Sequence, residues 1–446
     1  MSINKITSFL SFKNYLDLGH KLFLLGVFFL PSALPIGGIF LLISLIIAFT
    51  LKKEAILQNK WNYPIFISIF LIFFNSLYAF LRINYDPILE INKTIIWLNL
   101  FNWIPILIFY LGFQIYLINI KQRELFSIFL ISGTFPVIIS CIIQKFFDIN
   151  GPFETLFGTI VWFNRSLKEA GHTGLFNNSN YLGIWLTLCL PFSLSFLRNK
   201  DELFSNRLTL IFINIFLVYF SLLSSSRNAL LGVIISFLFI FGIKKSIKFC
   251  LLFLLGIFIV YFLLPLFSFL NEVNFENIIQ IEATKKILNY DVGVGANYPR
   301  LLIWKSTLSF IFQKPIFGWG AGTFANVFTN KGHVIVPYLS IKANHSHNIF
   351  LELAYNFGIP LSLILSTTFL SLYKKAFNII NKLKIELNHN YVDKAWLVSL
   401  SIMFLSHLSD LTFYDGKISI VFAALFAGLT NISQENNLEI KNLKLS

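Results

Sequence analysis

The stretch YPIFISIFLIFFNSLYAFL, residues 63–81, contains no charged side chain and is dominated by Phe, Ile and Leu. A helix needs about 20 mainly apolar residues to cross the hydrocarbon core of a bilayer. Residues 63–81 are long and apolar enough to do so, and they therefore predict a membrane-spanning helix.

Comparable apolar runs recur along the whole chain and predict about twelve spans. Only Pro31 and Pro35 separate the first two, so these two also fit one kinked element. The predicted spans are Lys21–Ser32, Ile36–Leu51, Tyr63–Leu81, Ile95–Leu117, Leu125–Gln144, Ser179–Leu197, Leu208–Leu223, Ala229–Ile243, Phe249–Leu270, Ile359–Tyr373, Ala395–Ser409 and Ile418–Ile432.

The composition agrees with a chain that lies mostly in lipid. Hydrophobic residues make up 56% of the 446 residues and charged residues 13%, whereas a soluble domain carries about 25% charged residues. We therefore predict an all-α integral membrane protein with about 12 transmembrane helices and a large extracytoplasmic loop that contains amphipathic helices.

The net charge of +14 is explained by the positions of the basic residues, and we expect no nucleic-acid partner. If the N-terminus is cytoplasmic, Lys and Arg cluster in the cytoplasmic loops around residues 52–60, 121–123, 198–207, 244–248 and 374–394. Cytoplasmic loops of membrane proteins carry this excess of positive charge. Both termini are then predicted to be cytoplasmic, and the two long loops, 145–178 and 271–344, to lie outside.

The sequence favours neither a metal nor a nucleotide cofactor. Cys141, Cys189 and Cys250 each lie in an apolar run without metal-ligand spacing. The glycine-rich stretch 318–322 lacks the βαβ context of a nucleotide site and fits a turn at the end of a helix. We expect no metal and no cofactor.

Polar residues that suit chemistry gather in four islands on the predicted outer side. They are Gly171–Asn180, Ser224–Asn228, Pro299–Gly320 and His345–Pro360. Loops on a membrane scaffold often carry function.

Two arginines in these islands suit an anionic ligand. Arg227 lies on the outer side, where the positive-inside rule disfavours a cation, although a membrane-boundary arginine is also a common anchor. Arg300 begins a predicted surface helix with one apolar face, made of Leu301, Trp304, Leu308, Ile311 and Phe312. A planar guanidinium can grip a phosphate through two hydrogen bonds, so the pair predicts a two-arginine cradle.

His347 is the candidate general base. It lies at the predicted start of a helix, where the partial positive charge of the helix end disfavours an imidazolium and leaves a neutral, proton-accepting ring. His345 competes for this role. Glu352 could orient the ring or pair with an arginine, and Asp410 is a weaker candidate of the same kind.

The four islands, in this order, resemble the O-antigen ligase and O-antigen polymerase superfamily. The resemblance rests on the Gly-Leu-Phe-Asn stretch at 174–177, Ser-Ser-Arg at 225–227, the helix from Arg300 to Pro315-Ile316-Phe317-Gly318, and His347-Asn348 followed by Gly358-Ile359-Pro360. It covers residues 171–360 well and divides the chain into N-terminal transmembrane helices (1–170), a ligase-like core (171–375, with the loop 271–344), and C-terminal helices with a cytoplasmic tail (376–446).

The resemblance implies a multi-pass protein of the bacterial cytoplasmic membrane with a periplasmic active site. Such an enzyme moves a glycan from a polyprenyl pyrophosphate carrier to a sugar hydroxyl, without metal or nucleotide. Ligases use lipid A core as the acceptor, and polymerases use another carrier-linked glycan. Arg227 and Arg300 would hold the pyrophosphate, and His347 would activate the acceptor hydroxyl.

Ligase and polymerase remain open alternatives, because the ligase pattern that begins at His347 and continues at Gly358 ends with Leu361 where Gly, Thr or Tyr is usual. A small-solute transporter related to inorganic carbon uptake is a further alternative. A transporter needs polar groups at mid-membrane, whereas the ionisable residues here gather at the outer edge. A flippase or scaffold needs a polar lumen that the spans do not offer.

Overall fold

A computed structural model describes residues 14–82, 93–165, 171–198, 204–248, 251, 299–335, 343–383 and 391–443. The predicted span Phe249–Leu270, apart from residue 251, and residues 271–298 and 336–342 of the predicted outer loop lie outside the described residues.

The described chain is helical almost throughout, which confirms the predicted all-α class. The helices are α1 Tyr15–Phe29, α2 Leu34–Leu51, α3 Lys53–Gln58, α4 Tyr63–Arg82, α5 Thr94–Asn99, α6 Ile104–Phe113, α7 Ile120–Gly133, α8 Phe135–Phe146, α9 Ser179–Arg198, α10 Phe204–Leu223, α11 Arg227–Phe241, α12 Pro299–Gln313, α13 Phe324–Ile335, α14 Ile349–Phe357, α15 Ile359–Leu383, α16 Tyr391–His407 and α17 Gly416–Leu443. Short 3-10 turns lie at Lys60–Asn62, Leu100–Asn102, Gln114–Tyr116 and Thr412–Tyr414, and one hairpin pairs β1 Phe153–Thr155 with β2 Ile160–Trp162.

Seven helical segments among the described residues are long and apolar enough to cross a membrane. They are Leu34–Leu51, Lys60–Arg82, Thr94–Tyr116, Ile120–Phe146, Ser179–Arg198, Asn206–Leu223 and Gly416–Gln434. The chain is thus a multi-pass membrane protein, but the predicted count of about twelve spans is not confirmed.

The predicted spans at the N-terminus are two separate helices. α1 ends before Pro31, α2 begins before Pro35, and the two helices pack where Gly26 faces Gly37. A Cβ at Gly37 would lie 3.0 Å from the Gly26 carbonyl oxygen, so only a residue without a side chain permits this close approach.

The chain folds into two compact units. The first contains residues 1–130, 293–393 and 403–446, and the second contains residues 131–292 and 394–402.

A buried ion pair ties distant segments of the first unit together. Arg123 on α7 donates through Nε and Nη2 to the Asp393 carboxylate at 2.6 and 2.9 Å, and through Nη1 to the carbonyls of Leu117 and Ile118. The Arg123 side chain is fully buried. A buried pair is costly to break because one partner alone is an uncompensated charge, so the contact fixes the start of α16 against the turn before α7.

The first unit also contains a hydrophobic cluster that supports α12, α13 and α14. Phe310, Trp319, Phe324 and Tyr355 are its central aromatic residues. The Trp319 Nε1–H donates to the Phe310 carbonyl at 2.8 Å, so its one polar atom is satisfied in the core. This cluster gives α12 and α14 a common support.

The second unit is built around α9, which packs against α10, α11 and residues 394–402. The Trp185 indole donates to Thr134 Oγ1 at 3.0 Å, and Ser399 Oγ donates to the Leu188 carbonyl at 2.8 Å. The two described cysteines, Cys141 and Cys189, are free and buried, in keeping with their positions in apolar runs.

Candidate functional site

The turn before α14, residues 344–348, holds His347 in an unusual backbone conformation. Its φ is 55°, in the left-handed region that non-glycine residues rarely adopt. Asn348 caps α14, because its Oδ1 accepts the N–H groups of Phe350 and Leu351 at 3.0 and 3.1 Å. We call residues 344–348 the histidine turn. Strained backbone of this kind is often found at functional sites.

The His347 ring contacts Asp410. The His347 Nδ1 and Asp410 Oδ1 atoms are 3.2 Å apart, and the side chains are 28% and 8% exposed. The Asn348 Nδ2 donates to the Leu408 carbonyl at 3.0 Å, which anchors the turn to the segment that carries Asp410. Because Asp410 engages Nδ1, Nε2 is the ring atom that can receive a proton from another group.

Asp410 is held as an anion. Burial alone would raise the pKa of this carboxyl, but the hydrogen bond and electrostatic interaction with His347, and the electrostatic interactions with Arg300 and His345, outweigh burial and lower the Asp410 pKa. A carboxylate in this position stabilises a protonated imidazole and fixes its orientation.

His345 lies beside His347, with ring centroids 4.2 Å apart. Its Nδ1 accepts the His347 backbone N–H at 3.3 Å. Burial, followed by electrostatic interactions with His347 and Arg300, lowers the pKa of His345 to about 4. A neutral His345 therefore supports the turn through Nδ1, while His347 is the histidine that contacts a carboxylate. Which ring accepts the proton in the reaction stays a prediction.

Glu352 is 1% exposed and contacts the backbone of the histidine turn. Its Oε2 accepts the Ser346 N–H at 2.8 Å, and its Oε1 accepts the Tyr414 hydroxyl at 2.6 Å and the Asn356 amide at 3.2 Å. The predicted partners of Glu352 were the histidine ring or an arginine, and the structure places backbone, tyrosine and amide groups there. Sequence reasoning missed Tyr414, for which the only signal was its place in the polar segment 409–417.

Arg300 lies in the first turn of α12 and is half-buried. Its charge lowers the pKa of both His345 and Asp410, so this cation acts on the same groups as His347. The structure therefore brings Arg300, His345, His347 and Asp410 into one electrostatic neighbourhood of the first unit, with Glu352 behind them.

The helix predicted from Arg300 onward is present, but its predicted apolar face is divided. Leu301, Leu308 and Phe312 are exposed, whereas Ile311 is buried in the aromatic cluster. Neighbouring residues of a helix point about 100° apart, and Ile311 lies one position from Phe312, on the side that faces the cluster. The grouping of Ile311 with the exposed stripe was therefore wrong.

The glycines of the third and fourth islands pack against each other. The N–H groups of Trp319 and Gly320 donate to the carbonyls of Tyr355 and Asn356 at 2.8 and 3.0 Å, and the Ile359 N–H donates to the Pro315 carbonyl at 2.7 Å. A Cβ on Gly358, whose φ is 89°, would collide with the Ile316 carbonyl oxygen. The glycine-rich stretch is thus a turn that fixes α12 against α14.

Arg227 is in the second unit, where the first two islands pack together. It is the exposed first residue of α11, after Ser226, whose hydroxyl caps the helix, and Ser225, whose φ is 55°. The His172 N–H donates to the Leu223 carbonyl at 3.1 Å, which anchors the Gly171–Asn180 island to this turn. The two-arginine cradle that joins Arg227 to Arg300 stays a prediction.

An apolar cavity of about 50 Å³ lies in the first unit. Its lining includes Ile349 and Phe350, which directly follow the histidine turn, together with Trp103, Phe413 and Phe422. In the part of the chain that the structure describes, no group of three or more His, Cys, Asp or Glu residues is placed to hold a metal ion.

These features define a mainly helical, multi-pass membrane protein with a histidine–carboxylate pair beside an arginine. Residues 212–366 match the family model described as O-antigen ligase, which confirms the resemblance inferred from the four islands. The matched residues include Arg227, Arg300, His345, His347 and Glu352, and Asp410 and Tyr414 follow them.

A curated relative also matches most of the chain. It is the ComP-specific O-oligosaccharyltransferase of Acinetobacter baylyi, 24% identical over 385 residues, which are 80% of this chain and 62% of the relative. The chain thus spans less than two thirds of that protein.

Proposed function

We propose that this protein is a membrane glycosyltransferase of the O-antigen ligase type. It moves a glycan from a polyprenyl pyrophosphate carrier to a sugar hydroxyl at the periplasmic face of the bacterial cytoplasmic membrane. The observation that carries the proposal is the His347 ring, which contacts the Asp410 carboxylate in the same neighbourhood as Arg300.

In this reaction the acceptor hydroxyl attacks the anomeric carbon of the donor glycan. Its proton passes to Nε2 of His347, while the bond from the anomeric carbon to the pyrophosphate oxygen breaks and its electron pair leaves with the carrier. Asp410 stabilises the imidazolium that forms, and a positioned general base contributes about 10² to 10⁴ in rate. The reaction uses neither a metal nor a nucleotide.

Arg300 and Arg227 bind the pyrophosphate as its negative charge grows. Guanidinium groups fit phosphate oxygens through paired hydrogen bonds, and fixed positive charge at a leaving group lowers the barrier directly. Both termini lie in the cytoplasm in this proposal.

The acceptor separates three versions of this function. A ligase uses lipid A core, and a polymerase uses another carrier-linked glycan. The O-oligosaccharyltransferase relative is named as specific for ComP, which favours a protein hydroxyl as a third acceptor.

A deletion strain complemented with variants tests the proposal. We expect Arg300→Ala, Arg227→Ala and His347→Ala each to abolish surface glycan while the protein still accumulates in the membrane. Lys305→Ala is the matched control, because Lys305 is an exposed cation on the same helix as Arg300. Lipopolysaccharide resolved on a gel, together with glycan staining of proteins, supplies the readout.

The pattern of loss identifies the acceptor. Loss of the whole ladder with accumulation of long carrier-linked polymer indicates a ligase, and a single repeat unit on the core indicates a polymerase. Loss of protein glycosylation alone indicates a protein acceptor. If all three variants leave every surface glycan unchanged, the proposal is contradicted, and solute uptake by the deletion strain becomes the test of the transporter alternative.

A further inference from the structure

The backbone of the histidine turn depends on contacts from outside the turn. His347 has a left-handed φ of 55°, a conformation that non-glycine residues rarely adopt and that surrounding contacts hold in place. Within the turn, the Ser346 hydroxyl donates to the Asn348 carbonyl at 2.9 Å. This short-range contact leaves the Ser346 N–H, which is next to His347, to be held by another segment.

Glu352 supplies that contact. Its Oε2 accepts the Ser346 N–H at 2.8 Å, and Ser346 is fully buried. A buried N–H without a partner is costly, so the carboxylate selects the backbone conformation that carries His347. Glu352 is itself 1% exposed, so its carboxylate contacts protein groups rather than an acceptor hydroxyl in this structure.

Tyr414 holds the other oxygen of this carboxylate. The Tyr414 hydroxyl donates to Glu352 Oε1 at 2.6 Å. Burial, together with the Glu352 charge, raises the pKa of Tyr414, which keeps the hydroxyl protonated as a donor. Tyr414 follows Asp410 on the same short segment, and its ring packs edge-on against Trp103, with centroids 6.1 Å apart.

One buried carboxylate therefore connects the two segments that hold His347. Its Oε2 fixes the backbone side of the turn through Ser346, and its Oε1 fixes, through Tyr414, the segment whose Asp410 contacts the ring. We propose that Glu352 and Tyr414 are positioning residues that set the His347 ring against Asp410. This inference rests on the proposed function only for its kinetic test.

The hydrogen-bond pattern predicts which substitutions are tolerated. Glu352→Gln keeps an oxygen for the Ser346 N–H and turns its amide toward the Tyr414 oxygen. The Tyr414 hydroxyl oxygen can accept from this amide, whereas the Asn356 Nδ2, which donates to Oε1 at 3.2 Å in the wild type, loses that acceptor. Glu352→Ala removes every one of these acceptors, so only the glutamine variant should retain function.

The kinetic test uses the purified full-length protein in proteoliposomes with a polyprenyl pyrophosphate-linked oligosaccharide and its acceptor. We expect Tyr414→Phe to lower kcat about tenfold or more with donor KM within twofold, and Glu352→Gln to retain most of the activity that Glu352→Ala loses. In a His347→Ala background Tyr414→Phe should cause no further loss, because groups that act as one unit are not additive.

Tyr355→Phe is the matched control. Its hydroxyl lies 3.0 Å from Thr323 Oγ1 in the core, and both side chains are buried. This variant removes a buried tyrosine hydrogen bond from α14, the helix that carries Glu352, without touching the histidine turn. Equal losses of kcat in Tyr355→Phe and Tyr414→Phe would overturn the inference, as would an additive loss in the His347→Ala background.

A second readout needs no turnover. Diethyl pyrocarbonate modifies exposed, neutral imidazoles, and mass spectrometry reads the rate at His347. We expect Tyr414→Phe to change this rate about threefold or more and Tyr355→Phe to leave it unchanged. If the modification rate of His347 is the same in Tyr414→Phe as in wild type, the positioning role is contradicted, even if wild type transfers no glycan. If wild type transfers no glycan but Tyr414→Phe changes the modification rate, only the proposed function is contradicted.

Discussion

Replacing Asp410 by Asn tests the histidine–carboxylate pair, because asparagine keeps the shape of the side chain and removes its charge. Asp410 Oδ1 is 3.2 Å from His347 Nδ1, and the side chains are 8% and 28% exposed. Unit charges about 4 Å apart interact by about 1 kcal/mol in water and about 4 kcal/mol at an effective dielectric constant of about 20.

Because the pair is partly exposed, the electrostatic stabilisation of the imidazolium that Asp410→Asn removes lies between these limits, at about 2.7 kcal/mol. Since about 1.4 kcal/mol corresponds to a factor of ten, Asp410→Asn should lower kcat about 100-fold.

The assay is glycan transfer by the purified protein in proteoliposomes between pH 5 and 9. Asp415→Asn is the control, since Asp415 Oδ1 accepts the N–H groups of Lys417 and Ile418 at the start of α17 and is a nearby carboxylate with a capping role. A kcat for Asp410→Asn within twofold of wild type would refute the role given to the pair.

Two further predictions concern stability, measured by thermal unfolding in detergent. Gly358→Ala should lower the free energy of unfolding by about 2 kcal/mol or more, because φ is 89° and the new Cβ meets backbone. Gly38→Ala, where no atom lies within 4 Å of the new Cβ, should be neutral or slightly stabilising, and equal losses would contradict the backbone argument. The pKa of His345 is about 4 when folded and 6.5 unfolded, so the unfolded chain binds more protons between these values and stability falls as the pH drops through this window. Between pH 7.5 and 5, His345→Gln should lose about 2 kcal/mol less of its free energy of unfolding than wild type does. If the variant shows the same pH dependence as wild type, another group is responsible for it.

The sequence predicted the fold class because membrane insertion is a local property. Each span must hide its own backbone polar groups in a helix and present apolar side chains to lipid, so a run such as residues 63–81 shows its structure without reference to the rest of the chain. The number of spans was less accessible, because α15 and α16 carry polar and charged residues within the helix. Residues 94–116 form two helices joined by a 3-10 turn at Leu100–Asn102.

The candidate site was predictable where its residues lie in one short stretch. His345, His347 and Glu352 fall within eight positions of each other, and an Asn before an apolar run is a local signal of a helix start. Arg227 was chosen because a basic residue on the predicted outer side departs from the charge pattern of the loops, and Arg300 because it begins a predicted surface helix. Their joint role at a pyrophosphate stays a prediction.

The sequence by itself determined that this chain is a helical membrane protein with histidines and arginines at the edges of its spans, because hydropathy and charge act locally. Only the tertiary structure decided the partners of these groups. Asp410 and Tyr414 lie more than 60 positions from His347, and chain folding alone brings one to the histidine ring and the other to Glu352. Hydrogen bonds depend on distances of about 3 Å, which no spacing in the sequence encodes.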